Sequence, residues 1–285
     1  MRRVRIVTDS TADLSPDILK SLNITVVPLH VRFGDEEYRD RVDLSEDDFF
    51  AHLQRQPNVL PVTLPPSAAE FEAVYASLAR TTDAILSIHL SARLGQTCQN
   101  AIVAKERYIV RGVCRVTVIN SQSTSLGLGF IVMEAARAAL AGQSLDDVAR
   151  LARSMLPQTH VLFFVDSLEY LQRGGRIGKI QALLDSMINV KPLMRLEDGE
   201  IVLMEKVRTR AKALERLYEF VADFPHVERL GIVYSTTPNE ASNLARRLGD
   251  IVPQERVMLA RYGPGLAAHL GPAAMGVVVY EGPER

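Results

Sequence analysis

The chain has 285 residues, of which 47% are apolar and 24% are charged, and its formal net charge at pH 7 is −1. These values are ordinary for a soluble globular protein, and a chain of this length favours two unequal lobes over a single core. The near-zero charge argues against a protein that binds nucleic acid through bulk positive charge.

Predicted strands and helices alternate along residues 1–157, which indicates an N-terminal α/β lobe with a Rossmann-like, mainly parallel sheet. Asp9 follows the first strand, where its carboxylate could face a ligand or could cap the next helix. Four prolines in residues 57–66 predict an extended connection there. Strands are expected at residues 4–7, 24–28, 30–33, 84–89 and 116–119, and helices after the capping residues Ser15, Ser45, Ser67 and Ser144 and over residues 96–108.

Residues 158–285 are predicted to form a C-terminal α+β lobe with a mixed, partly antiparallel sheet. Pro157 closes the preceding helix and marks the expected boundary. Asp198 and Gly199 predict a hairpin turn between the strands 190–196 and 200–206. The other strands are expected at residues 160–165, 230–234, 256–260 and 277–280, and helices at residues 168–171, 209–220 and 239–248.

Localisation follows from the cysteines and from the apolar runs. Cys98 and Cys114 have neither metal-ligand spacing nor the density of a disulfide scaffold, so a reducing compartment is expected, with the cytoplasm as the default. The apolar run after the basic N-terminus is too short for a signal peptide. Glu134 and Arg137 interrupt the most apolar helix, so no membrane span is predicted.

Two glycine-containing turns could bind an anion. In FFVDSLEYLQRGGRIGK, residues 163–179, Arg173, Arg176 and Lys179 surround a glycine pair, but basic residues and glycine are also common at any helix C-terminus. In the loop 92–97, Gly95 precedes a helix whose first amides lack intrahelical acceptors. An ordinary strand–helix connection has the same pattern. GLGFIV resembles a dinucleotide-binding loop, but Val132 occupies the place of the third glycine, so we reject that interpretation.

Seven segments, in order from residue 6 to residue 280, resemble the DegV family of bacterial fatty-acid-binding proteins. They are IVTDSTADLS, VTLPPSAAEF, IHLSARLGQTCQNA, VINSQSTSLGLGF, FFVDSLEYLQRGGRIGK, KPLMRLEDGEIVLMEKVRTRAKAL and AAHLGPAAMGVVV. The resemblance implies a cytoplasmic, two-lobed protein that is not itself an enzyme and has no cofactor. It would bury one palmitate-like long-chain fatty acid between the lobes and present it to a separate fatty acid kinase, which forms an acyl phosphate for phospholipid synthesis. Neither nucleic acid nor stable membrane insertion is implied, although transient membrane contact would allow lipid exchange.

The resemblance also implies which residues hold the carboxylate. Thr63 matches the threonine of the family's Thr-Ser-Gln-Pro-Ser motif, Arg208 the arginine of its Val-Arg-Thr segment, and His269 the histidine of its glycine-rich C-terminal motif. Arg176 matches the arginine of the Gly-Gly-Arg-Ile-Gly turn and is a secondary candidate. Candidates for the acyl-chain lining are Phe163, Phe164, Leu168, Met187 and Met194, although residues of these types more often belong to the plain hydrophobic core.

Three positions depart from the family pattern. Leu64 and Pro65 stand where serine and glutamine are usual, and Gly95 replaces the serine of Leu-Ser-Gly-Thr. Because that hydroxyl is absent, backbone amides near Gly95 and Gln96 are expected to bind the carboxylate. The remaining secondary candidates are Ser91, Thr97 and Ser125.

An enzyme acting on an acidic, lipid-like substrate, either a hydrolase or a small-molecule transferase, is the alternative. His269, several aspartates and many hydroxyls could form a hydrolase triad, but no G-x-S-x-G elbow is present. No G-x-x-x-x-G-K-[ST] loop is present either. A binding protein predicts stoichiometric lipid without turnover, whereas an esterase should consume a chromogenic ester.

Overall fold

The computed structural model describes residues 3–56, 59–109, 114–176 and 190–282. Within these residues the strands form a parallel four-stranded sheet, a mixed six-stranded sheet and a small antiparallel three-stranded sheet. This arrangement confirms the predicted α/β fold class. The strands are β1 (Arg5–Asp9), β2 (Ile24–Val27), β3 (His30–Phe33), β4 (Glu36–Arg39), β5 (Pro61–Leu64), β6 (Ala84–His89), β7 (Arg115–Asn120), β8 (Thr159–Phe164), β9 (Lys191–Glu197), β10 (Glu200–Val207), β11 (Arg229–Tyr234), β12 (Val257–Arg261) and β13 (Met275–Tyr280).

The helices pack against the two larger sheets, and four of them begin at capping residues that the sequence predicts. Ser15, Ser45 and Ser144 each accept a hydrogen bond from an amide of the first helical turn, as predicted. Ser67 and Glu70 form the predicted reciprocal capping box. The helices are α1 (Pro16–Ser21), α2 (Glu46–Arg55), α3 (Ala68–Leu78), α4 (Thr97–Ile109), α5 (Ser125–Leu140), α6 (Leu145–Met155), α7 (Glu169–Arg173), α8 (Arg210–Ala222), α9 (Pro238–Leu248) and α10 (Pro264–Leu270).

The two larger sheets come from different parts of the chain. Strand order in the parallel sheet is β2-β1-β6-β7, and in the mixed sheet it is β10-β9-β8-β13-β11-β12. In the β9–β10 hairpin, Asp198 and Gly199 have φ values of +50° and +80°. Positive φ at both central residues is what a tight hairpin turn of matching twist requires, so the predicted hairpin is confirmed.

Helix α5 packs between the two larger sheets. It contacts β1 and β6 of the parallel sheet and β8, β11 and β13 of the mixed sheet. Gly231 on β11 allows this close packing, because a Cβ there would lie 2.7 Å from Cδ1 of Leu126. One buried apolar cluster therefore continues from one sheet to the other. None of the helices described is long and apolar enough to cross a membrane.

Several described elements were not predicted from the sequence. Strand β4 and the 3-residue turn of helix at Ser10–Ala12 were missed. The proline-rich connection contains β5, which pairs with β3 at the edge of the small sheet, a position where proline is tolerated. Helix α10 lies in the glycine-rich C-terminal segment and has Pro264 in its first turn. The lobe boundary at residue 157 stays a prediction, and Lys179 and Met187 lie outside the described residues.

Candidate functional site

A cavity lies between the loops that follow β1, β6 and β7 and one face of the mixed sheet. It encloses about 990 Å³, counting the space at its mouth. Crevices at the carboxyl ends of parallel strands are the usual ligand sites of α/β sheets. Most lining side chains are apolar; they include Leu29, Leu90, Leu94, Val161, Phe163, Leu171, Leu196, Ile201, Val233, Leu266, Leu270, Val277 and Val278.

One end of the cavity carries a hydrogen-bonded pair from distant parts of the chain. Thr63 on β5 and His269 on α10 both line it, and Oγ1 of Thr63 lies 2.7 Å from Nε2 of His269. The Nδ1 atom of His269 is buried without a hydrogen-bond partner among the described residues. Gly174 makes room for this ring, because a Cβ there would lie 2.2 Å from Nδ1.

His269 is neutral over the physiological pH range. Burial lowers its pKa from 6.5 to about 3, and the neighbouring Arg176 guanidinium lowers the pKa further in the same direction. A neutral imidazole has one N–H donor and one nitrogen acceptor. His269 and Thr63 can therefore form a hydrogen bond with a ligand while both side chains remain uncharged.

Arg176 supplies the positive charge at this end. Its Nε donates to the carbonyl oxygen of Leu94 at 3.0 Å and its Nη1 to that of Gly174 at 2.6 Å. The residue is half-buried, and burial lowers the pKa of its guanidinium. Within the described ranges it has no carboxylate partner. A partly desolvated cation without a counter-ion favours an anionic ligand beside it.

The start of α4 adds backbone and hydroxyl groups to the same cavity. Gly95, Gln96 and Thr97 all line it. The amide of Gly95 already donates to the carbonyl oxygen of Ser91 at 3.2 Å, so the following amides are better placed for a ligand. Thr97 is buried, and its Oγ1 has no hydrogen-bond partner in the described part of the chain.

Two sequence-predicted residues lie away from the cavity lining. Ser91, in the loop after β6, is buried against the tip of the β9–β10 hairpin. Its Oγ donates to the carbonyl oxygen of Gly199 at 2.8 Å. Arg208 is exposed just after β10 ends at Val207. The structure therefore brings together Thr63, Gly95, Gln96, Thr97, Ser125, Arg176 and His269 at the cavity, but neither Ser91 nor Arg208.

The cavity also carries three hydroxyl groups, two of which donate hydrogen bonds to buried carboxylates. Thr11 Oγ1 donates to Asp9 at 2.5 Å, and Ser125 Oγ donates to Asp13 at 2.5 Å. Thr124 lines the cavity next to Ser125, and its Oγ1 is buried without a partner among the described residues. Thr11 is among the polar residues after the first strand that the sequence offers as ligand contacts or helix caps. Sequence reasoning did not single out Thr124, although it also follows a parallel strand, where ligand contacts are expected.

Asp13 and Asp40 connect the first sheet to α10. Asp13 accepts a hydrogen bond from the amide of Gly263, at the start of α10, at 2.9 Å, and it pairs with Arg41 at 3.1 Å. Asp40 accepts a hydrogen bond from Ser10 at 2.7 Å. Both carboxylates are buried, and burial raises the pKa of Asp13 to about 7 and that of Asp40 to about 6.

A Ser–His–Asp chain is present, but it lies inside the core. His89 Nδ1 is 3.1 Å from Asp9, and its Nε2 is 2.6 Å from Ser87 Oγ. Tyr75 donates to the same Ser87 oxygen at 2.9 Å. Ser87 and His89 are fully buried and do not line the cavity, so no substrate reaches this serine. The described residues contain no cluster of three or more His, Cys, Asp or Glu side chains that could hold a metal.

The fold and the cavity together define a class of α/β protein in which an apolar cavity with one cationic end lies between a parallel and a mixed sheet. A family model described as "Uncharacterised protein, DegV family" matches residues 3–282. The chain therefore belongs to the DegV family, which confirms the family assignment made from its seven segments.

Relatives and solved structures match over almost the whole chain. A DegV domain-containing protein of Streptomyces coelicolor is 39% identical over 282 residues, covering 98% of this chain and 98% of that protein. A DegV family protein from Thermus thermophilus, described by its fatty acid binding, superposes with a TM-score of 0.89 at 33% identity, covering 98% of this chain and 99% of the other. DegV of Bacillus subtilis, described as a fatty acid binding protein, superposes with a TM-score of 0.90 at 30% identity, covering 98% and 100%.

Proposed function

We propose that this protein binds one long-chain fatty acid, with the acyl chain in the cavity and the carboxylate at its cationic end. The main support for this proposal is the position of Arg176 in the lining of a mainly apolar cavity. Arg176 is a half-buried cation and has no carboxylate partner among the described residues. Thr63 and His269 add a neutral hydrogen-bonding pair beside it. Cation, donors and apolar walls are the three features that a buried amphiphilic acid requires.

The acyl chain supplies most of the binding free energy. Burying about fourteen methylenes at about 0.8 kcal/mol each gives about 11 kcal/mol before the costs of ordering and association. The carboxylate fixes the position of the ligand along the cavity more than it adds to the affinity, because its own desolvation offsets much of its attraction to Arg176. Solved relatives described by fatty acid binding, at 33% and 30% identity, support this assignment.

We assign the carboxylate contacts to Thr63, Gln96, Thr97, Arg176 and His269. All of them line the cavity, and each offers a hydroxyl, an amide, a cation or an imidazole. Gly95 contributes by letting the chain approach without a side chain. Ser125 is a weaker candidate for the carboxylate, because its hydroxyl proton is already donated to Asp13.

The second part of the proposal is that the loaded protein presents its fatty acid to a separate fatty acid kinase in the cytoplasm and is not itself an enzyme. The resemblance of seven segments to DegV proteins is the support for this step. The buried position of Ser87 removes the one Ser–His–Asp chain described here from contact with any ester, which weighs against the hydrolase alternative.

Mass spectrometry of the purified protein, first native and then after denaturing extraction, tests the binding step. We expect an added mass equal to one long-chain fatty acid, and extraction should release that acid. Absence of lipid, together with no uptake of added palmitate, would overturn the proposal. For presentation, loaded protein with ATP alone should give no acyl hydroxamate after hydroxylamine trapping, and an added fatty acid kinase should produce it.

A further inference from the structure

A second polar region of the cavity consists of the hydroxyls of Thr11, Thr124 and Ser125. Gly265, Leu266, His269 and Leu270 line the cavity from one face of this helix. His269 lies near the C-terminal end of α10, whereas Gly263 at the start is held by Asp13. Six residues of helical rise place the two ends about 9 Å apart. Ser125, which donates to the same Asp13, therefore lies nearer the start of α10 than His269 does, and a ligand lying along this helix would reach both.

The hydroxyls of the second region have defined hydrogen-bonding roles. Thr11 and Ser125 give their protons to Asp9 and Asp13, respectively, each at 2.5 Å. Their oxygens can therefore only accept hydrogen bonds from the cavity. Thr124 differs, because its buried Oγ1 has no partner in the described residues and can donate or accept.

We infer that Thr11, Thr124 and Ser125 form a subsite for a hydroxyl group carried part-way along the acyl chain of the ligand. A hydroxyl is the simple group that can donate to Thr11 or Ser125 and accept from Thr124 at the same time. A carboxylate can only accept, so it suits the Arg176 end instead. The inference rests on the proposed function and narrows its ligand class to hydroxylated long-chain fatty acids.

Burial makes this subsite selective for a ligand hydroxyl over a methylene. Thr11 is 1% exposed and Ser125 is 5% exposed, and the surrounding lining is mainly apolar. A buried hydroxyl without a partner is costly, so a ligand hydroxyl that pairs with Thr124 is favoured over a methylene at the same place. A ligand hydroxyl at any other depth would be buried against apolar side chains and would lose affinity.

A competition assay compares stearic acid with a positional series of monohydroxylated stearic acids, using displacement of a fluorescent fatty acid. The measurements are made above pH 7, because burial raises the pKa of Asp13 to about 7 and only the ionised carboxylate is limited to accepting from Ser125. We expect one or two neighbouring positional isomers to bind about threefold to tenfold more tightly than stearic acid, and the others more weakly.

Two isosteric variants make the assay specific. Thr124→Val should abolish the preference for the hydroxylated isomer, so that its affinity no longer exceeds that of stearic acid measured on the same variant. Thr97→Val, at the proposed carboxylate end, should weaken both acids by the same factor and keep their ratio. Stearic acid binding with every hydroxylated isomer weaker, or a preference that survives in Thr124→Val, would overturn the subsite alone. Failure of all the acids to bind would overturn the proposed function, and the subsite with it.

Discussion

Thr63 and His269 are 206 positions apart in the chain, yet their side chains meet at 2.7 Å where β5 and α10 come together. The pair exists only when the small sheet and the C-terminal segment are both folded. Since the imidazole is neutral, the pair can pass a hydrogen bond to a carboxylate without a proton being taken up.

His269→Ala should weaken fatty acid binding about tenfold or more, because Thr63 would lose its buried partner and the carboxylate would lose a polar neighbour. Displacement of a fluorescent fatty acid measures the effect. His226→Ala is the matched control, since His226 is part-exposed and pairs with Glu228 instead. Equal affinities of the two variants would contradict the role of His269.

Arg176→Gln should weaken fatty acid binding about tenfold or more, because a buried charge-assisted hydrogen bond contributes about 1.5–3 kcal/mol. Arg208→Gln removes the same charge from an exposed residue outside the cavity lining and should leave the affinity unchanged. Titration calorimetry with palmitate compares the two variants. A larger loss in Arg208→Gln would place the carboxylate elsewhere.

Gly174→Ala should displace the His269 ring, since the added Cβ would lie 2.2 Å from Nδ1. We expect lost fatty acid affinity in a protein that still folds. Gly175→Ala is the neighbouring control: its φ is +69°, but no atom of the described residues lies within 4 Å of the added Cβ. That variant should lose about 1 kcal/mol of stability and keep its affinity. Thermal unfolding and fatty acid displacement, measured on both variants, separate the two effects.

Gly95→Ser should be tolerated and should tighten fatty acid binding a few-fold by adding a hydroxyl donor near the proposed carboxylate. Its Cβ would lie 3.2 Å from Cδ2 of Leu90, so that side chain must shift slightly. Gly95→Ala introduces the same Cβ without the hydroxyl and isolates its contribution. If the serine variant binds no better than the alanine variant, the carboxylate does not lie at this loop.

Asp13→Asn should change how the free energy of unfolding depends on pH. The pKa of Asp13 is raised to about 7 in the folded protein, so the folded state binds a proton that the unfolded state releases above about pH 4. The stability contribution of Asp13 is therefore fully present below about pH 4 and is lost as pH rises through about 7. Relative to the wild type, the variant should gain up to about 4 kcal/mol between pH 4 and pH 8. Urea unfolding at several pH values measures this difference, and a pH-independent difference would contradict it.

Local signals predicted much of the fold. The capping box of Ser67 and Glu70 and the turn at Asp198 and Gly199 each depend on neighbouring residues only, and both were predicted correctly. Helix α10 was missed because glycines flank it on both sides, although Pro264 is a helix-start signal.

The site was less predictable, because its hydroxyls look alike in the sequence. Ser91 and Thr97 flank the same loop, yet Ser91 binds the hairpin at Gly199 whereas Thr97 lines the cavity. Only the packing of the hairpin against the parallel sheet separates their roles. Arg176 and Arg208 differ in the same way, since burial distinguishes them and short motifs do not.

The cavity is lined by residues from Thr11 to Val278, so it exists only in the folded protein. Any molecule held there binds the native state alone and shifts the unfolding equilibrium by mass action. A free ligand at about 100 times its dissociation constant adds about 2.7 kcal/mol. The midpoint of thermal unfolding then rises with the concentration of free ligand. Under the proposed function, chains made in lipid-poor conditions would be degraded by proteases faster than those made in lipid-rich ones.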